Sequence, residues 1–184
     1  MFAPNYHSAM KHVGPARKKM GKKTIFNLIG PLSNPAQVKR QVIGVFDKKW
    51  MKPFAEALRD NGVVHAFIVN SEDGMDEISP FAKTNVVELK DSMIKEFKID
   101  PKTLGIESAN KENLKGKNAE YNSEKIIEIY KGTSNEFSQS VALNAAAGLI
   151  VAGKENDFKN AFKKASEHIN SGKVFEHLTK LQSK

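Results

Sequence analysis

The residues best able to do chemistry stand together at Asp73-Gly74-Met75-Asp76-Glu77. They follow at once on Val64–Asn70 (VHAFIVN), an apolar run of buried-strand type. In parallel α/β sheets, ligands bind beyond the carboxyl ends of the strands. Asp76 and Glu77, with Asp73 close by, offer hard oxygens to a cation such as magnesium, which often bridges a carboxylate to substrate phosphates. The alternative is a polar loop whose acids are merely solvated. A second set is His7, Met10, Gly14 and Arg17, spaced 3, 4 and 3 along the chain, which is one helix face if Pro15 only kinks the helix. Histidine and arginine on that face suit an aromatic acid, because a guanidinium pairs with a carboxylate through a fork. The alternative there is a solvated basic face. His12 points elsewhere on the wheel, and His65, His168 and His177 fall in strand or late-helix contexts that suit structural roles. A third segment, Thr24–Pro35 (TIFNLIGPLSNP), carries two prolines and a glycine. It reads as a rigid ligand wall or lid, or as a helix end followed by a turn.

Several chemistries are excluded. No GxGxxG, Walker or GxSxG pattern is present. The chain has no cysteine, which removes thiol nucleophiles, disulfides and Cys-ligated zinc. No apolar run approaches the length of a membrane span, and the first residues lack the pattern of a signal peptide, so the expectation is a soluble cytoplasmic protein without a membrane partner.

The elements that must position these residues follow from periodicity and punctuation. Residues 5–20 have a helical pattern, with Asn5 as a candidate N-cap and a break or kink expected at Gly14-Pro15. Gly30–Pro35 reads as a turn. Gln41–Phe46 (QVIGVF) is a short β-branched run, Lys52–Asn61 a helix ending at Gly62, and Val64–Asn70 a second strand. Strand, helix and strand make a βαβ unit, so parallel pairing is expected. Asn85–Leu89 and Ile94–Ile99 read as further strands, the latter on an edge. The last third is helical: Ser123–Tyr130, Phe137–Ala152 (buried on most sides), Asp157–Ile169 and Lys173–Leu181, with Ser171-Gly172 as a cap. The fold class is therefore α/β, a βαβ-containing, mainly parallel sheet flanked by helices, with a helical C-terminal third.

At 184 residues, 40% apolar and 27% charged, the chain has enough material for one real core. Its net charge of +8 is unevenly placed. Residues 1–50 hold ten Lys or Arg against the single acid Asp47, and the remainder is nearly balanced. Such clustering favours an anionic ligand nearby. Only three of the 29 basic residues are arginine, however, and lysine forms no bidentate fork.

The blocks MFAPNYHSAMKHVGPAR, GKKTIFNLIGPLSNPA, QVIGVF, DGMDEIS, VALNAAAGLIVAGK and SGKVFEHLTKL, in that order over residues 1–181, resemble the anthranilate phosphoribosyltransferase family. The resemblance implies transfer of phosphoribose from phosphoribosyl pyrophosphate to the anthranilate nitrogen in tryptophan biosynthesis, with Mg2+ as cofactor and no covalent enzyme intermediate. Asp76 and Glu77 match the family's magnesium pair. Arg17 matches the arginine that binds the anthranilate carboxylate; His7, Met10, Gly30 and Pro31 match positions lining that pocket. Lys23 stands where the family usually has arginine, a possible charge contact without the fork.

Family members are roughly twice as long and carry a helical domain and a Gly-rich GTGGD loop that residues 1–184 lack. The resemblance thus implies the C-terminal portion of a longer enzyme. In that reading 1–184 is a single α/β domain, residues 1–35 pack on the missing N-terminal half, the full-length form is a homodimer, and this piece alone is inactive. A basic nucleic-acid-binding relative of the same fold is the competing function; the absence of aromatic residues interleaved with the lysines argues against it. A pyrimidine nucleoside phosphorylase matches the motifs less well.

Overall fold

The computed structural model describes residues 6, 8–22, 26–107 and 111–183. The chain divides into two compact units, residues 1–39 and 40–184. In the first unit, helix α1 (Ser8–Met20) runs through Gly14-Pro15 without a break, the condition on which Met10 and Arg17 share one helix. A prolyl ring holds φ at about −65°, itself a helical value, so Pro15 forfeits one hydrogen bond yet stays in the helix. Helix α2 (Phe26–Leu32) includes Gly30 and Pro31, which were expected in a turn. The turn starts at Ser33, whose N–H and hydroxyl each donate to the Ile29 carbonyl at 3.0 Å. Asn5, the candidate N-cap, lies outside the described residues.

The second unit is built on strands β1 (Arg40–Gly44), β2 (His65–Ser71), β3 (Thr84–Lys90) and β4 (Met93–Ile99), in that order across one sheet. Helix α3 (Met51–Asp60) connects β1 to β2, which pair in parallel as a βαβ unit. Parallel pairing stops there: β2–β3 and β3–β4 are antiparallel, which corrects the expectation of a mainly parallel sheet. For β3–β4 the reason is local. A parallel crossover needs a dozen or more residues, usually helical. Between β3 and β4 stand only Asp91 and Ser92, both at positive φ (49° and 67°), the twist-matched turn of a two-residue hairpin. The α/β class, the edge position of β4 and the helical last third all hold.

Every residue of β2 is buried. Helix α3 covers one face of the sheet with Met51, Phe54, Ala55 and Leu58, spaced as one helical stripe. Helices α4 (Ala119–Tyr130), α5 (Glu136–Val151), α6 (Phe158–Asn170) and α7 (Lys173–Gln182) complete the unit. On the other face, Leu143, Ala147 and Val151 of α5 pack with Phe67, Val69 and Val86. Ala142 of α5 meets Ala165 and Ile169 of α6 in a second cluster. Burial on two sides explains why α5 shows no single apolar stripe in sequence. Its start is fixed by reciprocal Asn135–Ser138 side-chain-to-backbone bonds, and Gly172, at φ 72°, separates α6 from α7. No helix of the described chain is long and apolar enough to cross a membrane.

Candidate active site

Because β1 and β2 run parallel, their carboxyl ends lie side by side, with Gly44 opposite Val69. The acidic segment leaves β2 at that end and is tied down before it reaches Asp76. Gly74, at φ 90°, turns the chain and donates to the Ser71 carbonyl at 3.0 Å, while the Ser71 N–H donates to the Met75 carbonyl at 2.9 Å. Asp73 works inside this turn. Its carboxylate accepts from the Met75 N–H at 3.2 Å and the Ser79 hydroxyl at 2.8 Å, with Lys111 Nζ at 3.6 Å. Burial alone would push the Asp73 carboxyl up, but hydrogen bonds from Ser79, Ser71 and Met75 and the charge of Lys111 outweigh it and hold it below the usual value. Asp73 is thus a loop staple rather than a ligand-facing acid.

Asp76 and Glu77 line an open cleft of about 480 Å³ together with Gly44, Ser140, Val141 and Asn144. Burial, and then the negative charge of Asp76, raise the Glu77 pKa above the ordinary glutamate value. The two acids just before them in the chain have counter-ions: Glu72 pairs with Lys98 at 2.6 Å and Asp73 with Lys111 at 3.6 Å. Among the described residues no lysine or arginine pairs with Asp76 or Glu77. Two adjacent, uncompensated carboxylates facing a cleft fit a hard cation, and no third Asp, Glu or His joins them among the described residues. A cation held there takes its remaining oxygens from elsewhere, as magnesium commonly does.

Asp76 and Glu77, consecutive in sequence, both line this cleft. Gly30 and Pro31 lie on α2 of the first unit. Met10 and Arg17 lie on α1, their side chains outside the described residues, as are His7 and Lys23 altogether. His65 is structural: it is 3% exposed and its Nε2 meets Glu88 Oε1 at 2.8 Å. His168 and His177 are exposed on α6 and α7. Two residues of the cleft were not singled out from sequence, Gly44 and Asn144. Each had a signal: a glycine inside a β-branched run marks close backbone approach, and an amide inside the apolar, alanine-rich stretch 141–151 calls for a specific partner.

The pattern of the glycosyl transferase family, a/b domain, matches residues 1–175. The chain is 58% identical over 183 residues to the anthranilate phosphoribosyltransferase of Pelagibacter ubique, covering 100% of this chain and 56% of that protein. It is 46% identical to that of Parvibaculum lavamentivorans, covering 98% and 53%. Among solved structures, the anthranilate phosphoribosyltransferase of Thermus thermophilus superposes with a TM-score of 0.85 at 36% identity, over 95% of this chain and 51% of that one. The Saccharomyces cerevisiae enzyme in complex with phosphoribosyl pyrophosphate and magnesium gives 0.84 at 27%, over 94% and 50%. The chain spans about half the length of the curated relatives it matches. With this family's α/β-domain pattern running through residues 1–175, the chain belongs to the glycosyl transferase family.

Proposed function

We propose that this chain supplies the magnesium-binding loop and one wall of the anthranilate pocket of an anthranilate phosphoribosyltransferase. The observation that carries the reading is the uncompensated Asp76–Glu77 pair in a cleft at the carboxyl ends of parallel strands. The names of the relatives, and the phosphoribosyl pyrophosphate and magnesium of one solved neighbour, support it. In the reaction the anthranilate amine forms a bond to C1 of phosphoribosyl pyrophosphate. The C1–oxygen bond to pyrophosphate breaks, and the nitrogen loses a proton. Magnesium, when bound, neutralises charge on the departing pyrophosphate. The chain's residues orient rather than attack: Asp76 and Glu77 hold the cation, and Arg17 pairs with the anthranilate carboxylate. His7, Met10, Gly30 and Pro31 shape the pocket around the ring, and Lys23 adds positive charge. Fixed geometry of this kind supplies much of a transfer enzyme's rate. The complete enzyme is a cytoplasmic homodimer in this reading.

The test compares two proteins: the 184-residue chain alone, and the same chain joined to the portion of the Pelagibacter ubique relative outside the match. The joined protein is expected to form N-(5′-phosphoribosyl)anthranilate with magnesium. The chain alone is expected to be inactive, because residues 1–184 contain no glycine-rich loop whose backbone N–H groups could cradle pyrophosphate. No product from the joined protein overturns the reading. Product from the chain alone overturns the placement of the phosphate cradle elsewhere.

In the joined protein, Arg17→Ala is expected to raise the anthranilate KM. A charge-assisted hydrogen bond contributes on the order of 1.5–3 kcal/mol. At about 1.4 kcal/mol per decade, that is roughly a ten- to hundredfold rise. Arg17→Lys should recover only part of the loss, since it keeps the charge without the fork. Steady-state kinetics check this: a KM that moves for phosphoribosyl pyrophosphate but not for anthranilate refutes the assignment.

A further inference from the structure

Among the described residues the side chains of Asp76 and Glu77 have no hydrogen-bond or ion-pair anchor; the backbone on each side of them does. Upstream, the turn through Ser71, Asp73 and Gly74 holds Met75. Downstream, the peptide groups of Ile78 are held by one side chain from another element. Asn144 Oδ1 accepts from the Ile78 N–H at 3.0 Å, and Asn144 Nδ2 donates to the Ile78 carbonyl at 3.1 Å. The second Nδ2 hydrogen goes to the Ser140 carbonyl at 2.9 Å, one turn back along α5. A side-chain amide has two donors and one acceptor oxygen. Both Asn144 donors are therefore committed, and its oxygen is already engaged. Although Asn144 lines the cleft, its amide has no hydrogen left for a ligand there. Ile78 itself is fully buried among Phe67, Val69 and Leu143, so the clasp and the core fix the same residue.

We propose that Asn144 is a positioning residue: its amide clasps Ile78, the residue after Glu77, and so couples helix α5 to the acidic loop and keeps both carboxylates turned to the cleft. The role in cation binding rests on the function proposed above; the clasp itself does not. Asn144→Leu removes all three hydrogen bonds while keeping the side chain's branched shape and its number of heavy atoms. The first readout is amide hydrogen exchange in the 184-residue chain. The Ile78 N–H should exchange about tenfold faster or more, while the amides of Phe67–Val69 in β2 stay protected, because a local opening leaves the sheet intact. The second readout is the magnesium concentration for half-maximal turnover of the joined protein, expected to rise about fivefold or more with the anthranilate KM unchanged. Leu149→Ala, on the side of α5 that packs in the α4–α6 cluster, is the control for general destabilisation. It should speed exchange of all core amides together and leave the magnesium requirement in place. If Asn144→Leu does not fold, Asn144→Ala, a strong helix former, takes its place. Unchanged Ile78 exchange overturns the clasp. Faster exchange with an unchanged magnesium requirement overturns the positioning role. If the unmodified joined protein shows no magnesium-dependent turnover, the proposed function has failed, and exchange alone still decides the clasp.

Discussion

Replacing both loop carboxylates, Asp76→Asn with Glu77→Gln, is expected to lower turnover of the joined protein at limiting magnesium by about a hundred- to a thousandfold. A cation placed against a departing phosphate contributes several kcal/mol of charge stabilisation. On the order of 3–4 kcal/mol corresponds to that range at roughly 1.4 kcal/mol per decade. Both amides keep the shape of the side chains and remove the charge, so KM for anthranilate should change little. Titration with magnesium checks the prediction; a magnesium dependence identical to that of the parent refutes it. Stability should move the other way. Burial, and then Asp76, raise the pKa of Glu77, so it binds its proton more tightly folded than unfolded. Its favourable contribution is fully present below the ordinary glutamate value and is lost as the pH rises through the raised one. At neutral pH the ionised Glu77 therefore opposes folding. Glu77→Gln should leave the magnesium-free chain at least as stable as the parent at pH 7, with the advantage gone at pH 4. A lower Tm for the variant at pH 7 would contradict this. In the proposed function, the acidic pair is a place where cation binding is maintained at the expense of fold stability.

The same alanine substitution at two glycines should have opposite signs. A Cβ built on Gly44 stands 1.5 Å from the carbonyl oxygen of Asp76 and 2.6 Å from its carbonyl carbon. These are backbone atoms, so no rotamer change relieves the clash. Either β1 or the acidic loop must move. Overpacking of this kind costs about 1–3 kcal/mol, sometimes more. With the obstacle being backbone, we expect the upper end, about 2–3 kcal/mol, and a Tm lower by about 4–12 °C for a chain of this size. In the joined protein Gly44→Ala should also lower turnover, because the clash falls on Asp76. Gly148 provides the contrast. It lies inside α5, and a Cβ there meets nothing within 4 Å. Gly148→Ala should stabilise the helix by about 0.5–1 kcal/mol. Thermal unfolding of the two variants beside the parent is the measurement. Equal shifts would mean that the close approach of Gly44 to Asp76 does not govern this corner of the fold.

Much of this protein is legible without coordinates, and the legible part is local. The Lys52–Asn61 pattern announces α3 because a helix repeats every 3.6 residues, whatever it packs on. Gly62 and Gly172 end or divide helices because left-handed backbone belongs to glycine. The βαβ unit follows because a parallel crossover needs the length that α3 provides. The acidic pair at the end of β2 is equally local, being two consecutive residues after an apolar run. Where the reading erred, a local preference was overruled by a short-range detail. Gly30 and Pro31 joined helix α2 instead of a turn, and the hairpin at Asp91-Ser92 relied on two residues that are not glycine.

The tertiary structure alone decided how the site is held. Gly44 lies under Asp76, and Asn144 clasps Ile78 across 66 residues of sequence. Neither pairing leaves a periodic trace, because each depends on where β1, α5 and the loop after β2 come to rest once the core has closed. The division of labour among the acids is of the same kind. Asp73 and Asp76 are indistinguishable as residue types three positions apart. Asp73 turns inward to Met75 and Ser79, whereas Asp76 faces the cleft unpaired among the described residues. A carboxylate's role is set by the donors and charges that surround it, and those arrive from distant parts of the chain only when the fold brings them together.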